Sequence, residues 1–131
     1  MQMKNDPLFK VDIINEFQKH RPAIEKSLKW LDGTHCVEDL LAMVFNTKLQ
    51  FWFNDEACIF TEVIDYPRAR HVNLFLTCGK LKAARLLEPD IEEFARKINA
   101  TRLIGPGRDG WSRVAGRGNW RRKGVLMVKD L

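Results

Sequence analysis

His71-Val-Asn-Leu-Phe-Leu-Thr-Cys-Gly79, running straight into Lys80-Leu-Lys-Ala-Ala-Arg-Leu-Leu87, is the stretch that decides how this chain folds. Its first half is an apolar run of strand length. Its second half opens a helical pattern in which Leu86, Leu87, Ile91, Phe94, Ala95 and Ile98 share one face, ending near Asn99. Pro89 falls inside that pattern, so the spacing predicts a separate turn before it and a main helix that starts at the proline. A strand, one glycine and a helix form a corner where backbone N–H groups can meet a phosphate. Either Gly79 cradles a cofactor there or it ends a strand.

Upstream, Leu49–Phe53 and Ala57–Ile64 are apolar runs separated by Asn54-Asp-Glu56, the pattern of an antiparallel hairpin. Asp65–Arg70 reads as a connector to the strand at His71. Residues 1–7 read as a loose start. Phe9, Ile13, Ile14 and Phe17 then recur at helical spacing, and Pro22 is placed to open a second helix through Ile24, Leu28, Trp30 and Leu31. Asp32-Gly33 stops it. A third helix runs from Val37 to Phe45, with Glu38 and Asp39 in the first turn where the helix dipole favours acids. Downstream, Thr101–Ile104 reads as a strand, Gly105–Gly110 as a loop, Trp111–Ala115 as a short helix and Gly124–Lys129 as a last strand. Helices leading into a hairpin, then strand–helix–strand–helix–strand, make an α+β fold: a mixed, mostly antiparallel sheet flanked by helices.

The length of 131 residues fits one domain. No apolar run approaches the roughly 20 residues that span a bilayer, and the start of the chain lacks a signal-peptide pattern. The expected location is inside a cell or an assembly, without secretion or membrane insertion. Cys36, Cys58 and Cys78 share no short spacing, which argues against zinc and for reduced thiols, with Cys58 and Cys78 in the core. The net charge of +5 is uneven. Residues 101–131 hold eight Lys/Arg against two Asp, a balance of +6, whereas residues 1–100 hold fourteen basic against fifteen acidic, a balance of −1. Arg108, Arg113, Arg117, Arg121, Arg122 and Lys123 make that last quarter a basic contact surface for phosphates, nucleic acid or acidic protein. Trp111 and Trp120 lie among these arginines, and both read as packing residues rather than as stacking platforms for bases.

Four pieces together resemble a set of small proteins with the GNAT N-acetyltransferase fold that tailed phages encode. They are His35-Cys-Val-Glu-Asp-Leu40, Thr61-Glu-Val-Ile-Asp-Tyr-Pro-Arg68, the strand His71–Gly79 with its helix, and Gly107-Arg-Asp-Gly-Trp111 followed by Gly118-Asn-Trp120. The likeness covers roughly residues 34–131 and makes the chain a single GNAT-like domain, with residues 8–33 as its N-terminal helices. It implies acetyl-CoA as donor, a primary amine as acceptor, and a pyrophosphate gripped by backbone amides in a (Q/R)-x-x-G-x-(G/A) turn. The matching place is Thr77-Cys-Gly-Lys-Leu-Lys82, where Gly79, Lys80 and Lys82 are the cofactor candidates.

The chain departs from that pattern. Neither the leading Gln/Arg nor the second small residue is present, and the last helix lacks the tyrosine that serves many family members as general acid. Glu62 and Asp65 are the candidate bases, with pairing to Arg68 or Arg70 as their alternative use. No metal set can be read. The resemblance therefore implies a phage accessory or virion protein with a degraded acetyl-CoA site. Its expected partners are other virion proteins or packaged DNA, met through the basic last quarter in the host cytoplasm or virion interior. An active N-acetyltransferase on an unknown amine is the alternative. Limited proteolysis is expected to leave one resistant fragment from about residue 8 onward; two separately stable fragments would contradict the single domain.

Overall fold

The computed structural model describes residues 7–106 and 118–131, with side chains from Asp12 onward. Helix α1 (Pro7–Ser27) is followed by a 3-10 turn (Leu28–Leu31) and by α2 (Val37–Phe45). Strands β1 (Gln50–Phe53), β2 (Ala57–Tyr66) and β3 (Ala69–Gly79) come next, then α3 (Leu81–Arg85), α4 (Glu88–Lys97) and β4 (Arg102–Ile104). The sheet order is β1-β2-β3-β4. The first three strands are antiparallel and β4 runs parallel to β3. This is the α+β architecture with a mostly antiparallel sheet that the sequence pattern implies.

Pro22 does not open a second helix; it lies within α1. The buried positions of α1 are Ile13, Phe17, His20, Ile24 and Ser27, a stripe that continues at helical spacing past the proline. Pro22 sits off the stripe on an exposed face. There the carbonyl that loses its N–H partner can be hydrated, and packing on both sides of the proline holds the helix together.

The sheet carries a core on each face. Ile13, Phe17 and Ile24 of α1 and Val37, Leu40 and Val44 of α2 pack on Cys58, Phe60, Leu76 and Cys78. Ala83 and Ala84 of α3 and Leu87, Ile91 and Ala95 around α4 pack on Ala57, Ile59 and Val72. In β2 the alternation is regular. In β3 it changes phase: Val72 and Leu74 belong to the α3/α4 side, Leu76 and Cys78 to the α1/α2 side. The register explains this, because Phe60 faces Leu76 while Thr61 faces Leu74, leaving Phe75 as an extra residue. A β-bulge of this kind inserts one residue and bends the strand.

Asp65–Arg70 is not a free connector. β2 and β3 pair as far as Tyr66 and Ala69, and Pro67-Arg68 alone makes the turn. The helix boundary at Pro89 holds, since α3 ends at Arg85 and the proline sits in the first turn of α4. The expected last strand, Gly124–Lys129, forms none: residues 121–131 are exposed and outside any regular element. The expected helix at Trp111–Ala115 lies outside the described residues, as do Arg108, Arg113 and Arg117. Cys58 and Cys78 face each other across β2 and β3, fully buried and without a disulfide, and their mutual contact and burial raise the Cys58 thiol's pKa.

His20 is 4% exposed, with ring contacts to Phe51 and Phe53, and its Nε2 has no hydrogen-bond partner. Burial lowers its pKa below 6.5, more than the nearby Glu16 raises it. The folded protein therefore resists a proton that the unfolded chain accepts. Stability is full above the unfolded pKa and falls as the pH drops below it, towards the folded value. Melting temperatures measured between about pH 5 and 7 should show that fall, and His20→Phe should flatten it. An equal slope in both proteins would place the acid sensitivity elsewhere.

Candidate functional site

The strand-to-helix corner at Gly79 is built by the turn between β1 and β2. Asn54 organises that turn: its Oδ1 accepts from the N–H groups of Glu56 (3.1 Å) and Ala57 (3.0 Å). Its Nδ2 donates to the carbonyl of Ala83 at 2.9 Å, tying α3 to the hairpin. Ala57 pairs with Gly79, which brings the two strand ends together. Gly79 has φ +94°, and a Cβ built there would lie 2.3 Å from the Glu56 carbonyl oxygen and 2.9 Å from Ala57 Cα. Only glycine supplies both the conformation and the clearance.

Glu56 then takes up the polar groups of the next residue. The Lys80 N–H donates to the Glu56 carbonyl at 3.2 Å, and the Lys80 ammonium pairs with the Glu56 carboxylate. That hydrogen bond raises the Lys80 pKa above its ordinary value. A lysine at the start of a helix is unfavourable against the dipole, and here an acid of the same chain, rather than a bound anion, compensates it. Lys82 is exposed on α3. Across the corner lies an open cavity of about 400 Å³ lined by Lys26, Lys29, Trp30, Glu56, Gly79 and Lys80.

Two of the three cofactor candidates, Gly79 and Lys80, therefore meet at one corner, with Glu56 beside both. The glycine lies against the Glu56 carbonyl, the Lys80 N–H donates to that carbonyl, and the Glu56 carboxylate holds the Lys80 ammonium. Asn54 and Glu56 are the residues that periodicity misses. The clue to them is the turn composition Asn54-Asp-Glu56, which fixes a side-chain-capped turn without telling what it will touch.

The candidate bases lie further along the sheet. Glu62 sits five residues up β2 from Ala57, roughly 17 Å at strand rise. It accepts from Asn73 Nδ2 at 2.8 Å instead of pairing with an arginine. Asp65 is near the Pro67-Arg68 turn and does pair with an arginine, Arg70 Nε at 2.6 Å. Arg70 also donates to the Ile98 carbonyl, so this pair ties the hairpin to the end of α4.

One further feature concerns the sheet itself. β4 pairs with β3 only from His71/Arg102 to Asn73/Ile104, whereas β3 continues to Gly79. The bulge at Phe75 lies just past the last pair, and Gly105, which follows β4, still lies against Leu74.

The chain has the GNAT fold. An aminoglycoside acetyltransferase from an uncultured soil metagenomic sample, solved with sisomicin, superposes with a TM-score of 0.64 at 7% identity, over 99% of this chain and 93% of its own. An acetyltransferase of Trypanosoma brucei gives 0.60 at 11% identity, over 72% and 78%. A GNAT family acetyltransferase of Staphylococcus aureus gives 0.55 at 14%, over 89% and 93%. No protein-family model matches the chain, and no curated protein matches its sequence. Among the described residues no group of acids, histidines and cysteines could hold a metal, and no helix is long and apolar enough to cross a membrane.

Gly79→Ala is expected to destabilise the fold by about 2–4 kcal/mol, the sum of a disfavoured φ and an overpacked contact. Urea unfolding measures it. A cost below about 0.5 kcal/mol would show that the corner relaxes and that the glycine is not structurally required.

Proposed function

We propose that this chain is a phage-encoded GNAT-fold protein whose acetyl-CoA site is degraded, and that it acts as a virion or accessory interaction module. The observation that carries this is the double engagement of Lys80 by Glu56 beside a glycine packed on the Glu56 carbonyl. The corner's own groups satisfy one another, and an incoming diphosphate would have to break them apart. The two candidate bases, Glu62 and Asp65, are engaged by Asn73 and Arg70. The fold then serves as a scaffold that presents the basic last quarter. Within it Arg121, Arg122 and Lys123 are exposed, suited to an acidic protein surface or to packaged DNA. Contact with DNA would be to phosphates and sequence-blind.

The cavity favours a second reading. Lys26, Lys29 and Lys80 outnumber Glu56 around it, a balance that suits an anionic cofactor and an active N-acetyltransferase on an unknown amine. Calorimetry with acetyl-CoA separates the two. The module reading expects binding weaker than about 100 μM, or about −5.5 kcal/mol; tighter binding makes the chain an enzyme. Mass spectrometry of purified particles should find the protein in the virion. If duplex DNA is the partner, four or five basic groups on one backbone give a log–log salt slope of about −4. Affinity that survives salt, or that differs between unrelated duplexes, would contradict the phosphate contact.

A further inference from the structure

Trp30 stands apart from the residues that the sequence pattern groups with it. Ile24 is fully buried, and Leu28 and Leu31 pack against the α1/α2 core, whereas Trp30 is 52% exposed. A single exposed apolar residue needs no explanation; the setting of this one does. Trp30 lies in the wall of the cavity of about 400 Å³ at the Gly79 corner, together with Lys26, Lys29 and Lys80, a volume in the range of small-ligand sites. Lys26, Lys29 and Trp30 are three and four residues apart, so they share a side where α1 passes into the 3-10 turn. Lys80 and Glu56 neutralise each other. Lys26 and Lys29 remain, and among the described residues no carboxylate pairs with either. The dipole at the end of α1 accounts for a lysine in its last turn. It does not account for a second lysine whose ammonium stands 5.2 Å from the centre of an exposed indole.

We propose that this cavity binds a nucleoside phosphate supplied by a single-stranded nucleic acid: the base stacks on Trp30, and Lys26 and Lys29 hold its phosphate. Cations for the phosphate beside an aromatic ring for the base are the two elements of single-strand binding. Lys29 already stands beside the ring, so it meets the phosphate of a base stacked there. A duplex does not suit the arrangement, because its bases stack on one another and offer the indole no face. One phosphate on Lys26 and Lys29 also leaves the Glu56–Lys80 pair closed. Stacking on an indole tolerates any base, so preference among sequences should be small. This goes beyond the proposed function, in which DNA is met by its phosphates alone and through the basic tail.

The test uses the full chain carrying Arg121→Ala, Arg122→Ala and Lys123→Ala, so that the basic tail does not mask the cavity. Fluorescence anisotropy compares a labelled oligothymidylate of about eight nucleotides, within the site size of single-strand binders, with an abasic strand of the same length. The thymidylate should bind more tightly. Trp30→Ala should weaken it by about 5- to 150-fold, the range for losing one stacked base, and should leave the abasic strand unchanged. Trp30→Phe keeps a ring and should retain most of the affinity; Trp30→Leu keeps apolar bulk alone and should lose it. Those two variants decide the matter if the alanine variant does not fold. Lys26→Ala with Lys29→Ala should make the log–log salt slope shallower by about 0.7, the value for one phosphate on a single strand. Equal affinity for the two strands, equal binding with Trp30 and with Leu in its place, or thymidine monophosphate bound as tightly as the strand would each overturn the proposal. So would acetyl-CoA bound more tightly than the strand and weakened by the same Trp30 variants, which would give the cavity to the cofactor. Particle association and duplex binding are measured on the unsubstituted chain, so a failure here leaves the proposed function standing.

Discussion

The close approach of Gly79 to the Glu56 carbonyl is the constraint on which the rest of the structure hangs. It lets the ends of β2 and β3 meet, and it places Lys80 against Glu56. With Asn54 holding Ala83, α3 must begin immediately after the strand. The result is a tight corner rather than an open loop. The same contact that locks the hairpin to the helices also engages the Lys80 N–H group and fills the space beside Gly79.

The second organising feature is the sheet with a core on each face. Neither layer of helices is sufficient alone. α1 and α2 cover one face with large side chains, while α3 contributes only alanines and lets α4 lie close to the other. Phe75 makes this possible, because the extra residue moves Leu76 and Cys78 under α1 and α2 while Val72 and Leu74 stay under α4. Aromatic contacts reinforce the thicker side, where the rings of Phe51 and Phe60 stack at 5.0 Å.

Much of this was legible in the sequence. Hydrophobic period separated helices from strands, Pro89 marked the start of α4, and four sequence pieces taken together resembled GNAT-fold proteins. The misses have physical causes. Pro22 was read as a boundary because a local rule cannot see that its face is exposed and that Ile13–Ser27 pack as one stripe. Asp65–Arg70 looked like a loop because it is polar and contains a proline, yet cross-strand pairing extends through it to a two-residue turn. Gly124–Lys129 has strand composition, but composition does not provide a partner. At the corner, the adjacency of Gly79 and Lys80 could be read from the strand–glycine–helix pattern. Glu56 could not, because its contact with them depends on register between segments more than twenty residues apart.

The bulge also sets where this chain tolerates a change of length. Loss of Phe75 would leave Leu74 and Leu76 on opposite faces, as they are now, whereas adding one residue between Leu76 and Cys78 would send Cys78 towards α3 and α4. The Pro67-Arg68 turn is different: it is exposed, lies at the far end of the hairpin from Gly79, and supports neither core. A reporter peptide or an epitope spliced between those two residues would leave both packed faces in phase. Evolution and engineering alike can lengthen this protein at its distal tip but not within the strand that joins its two cores.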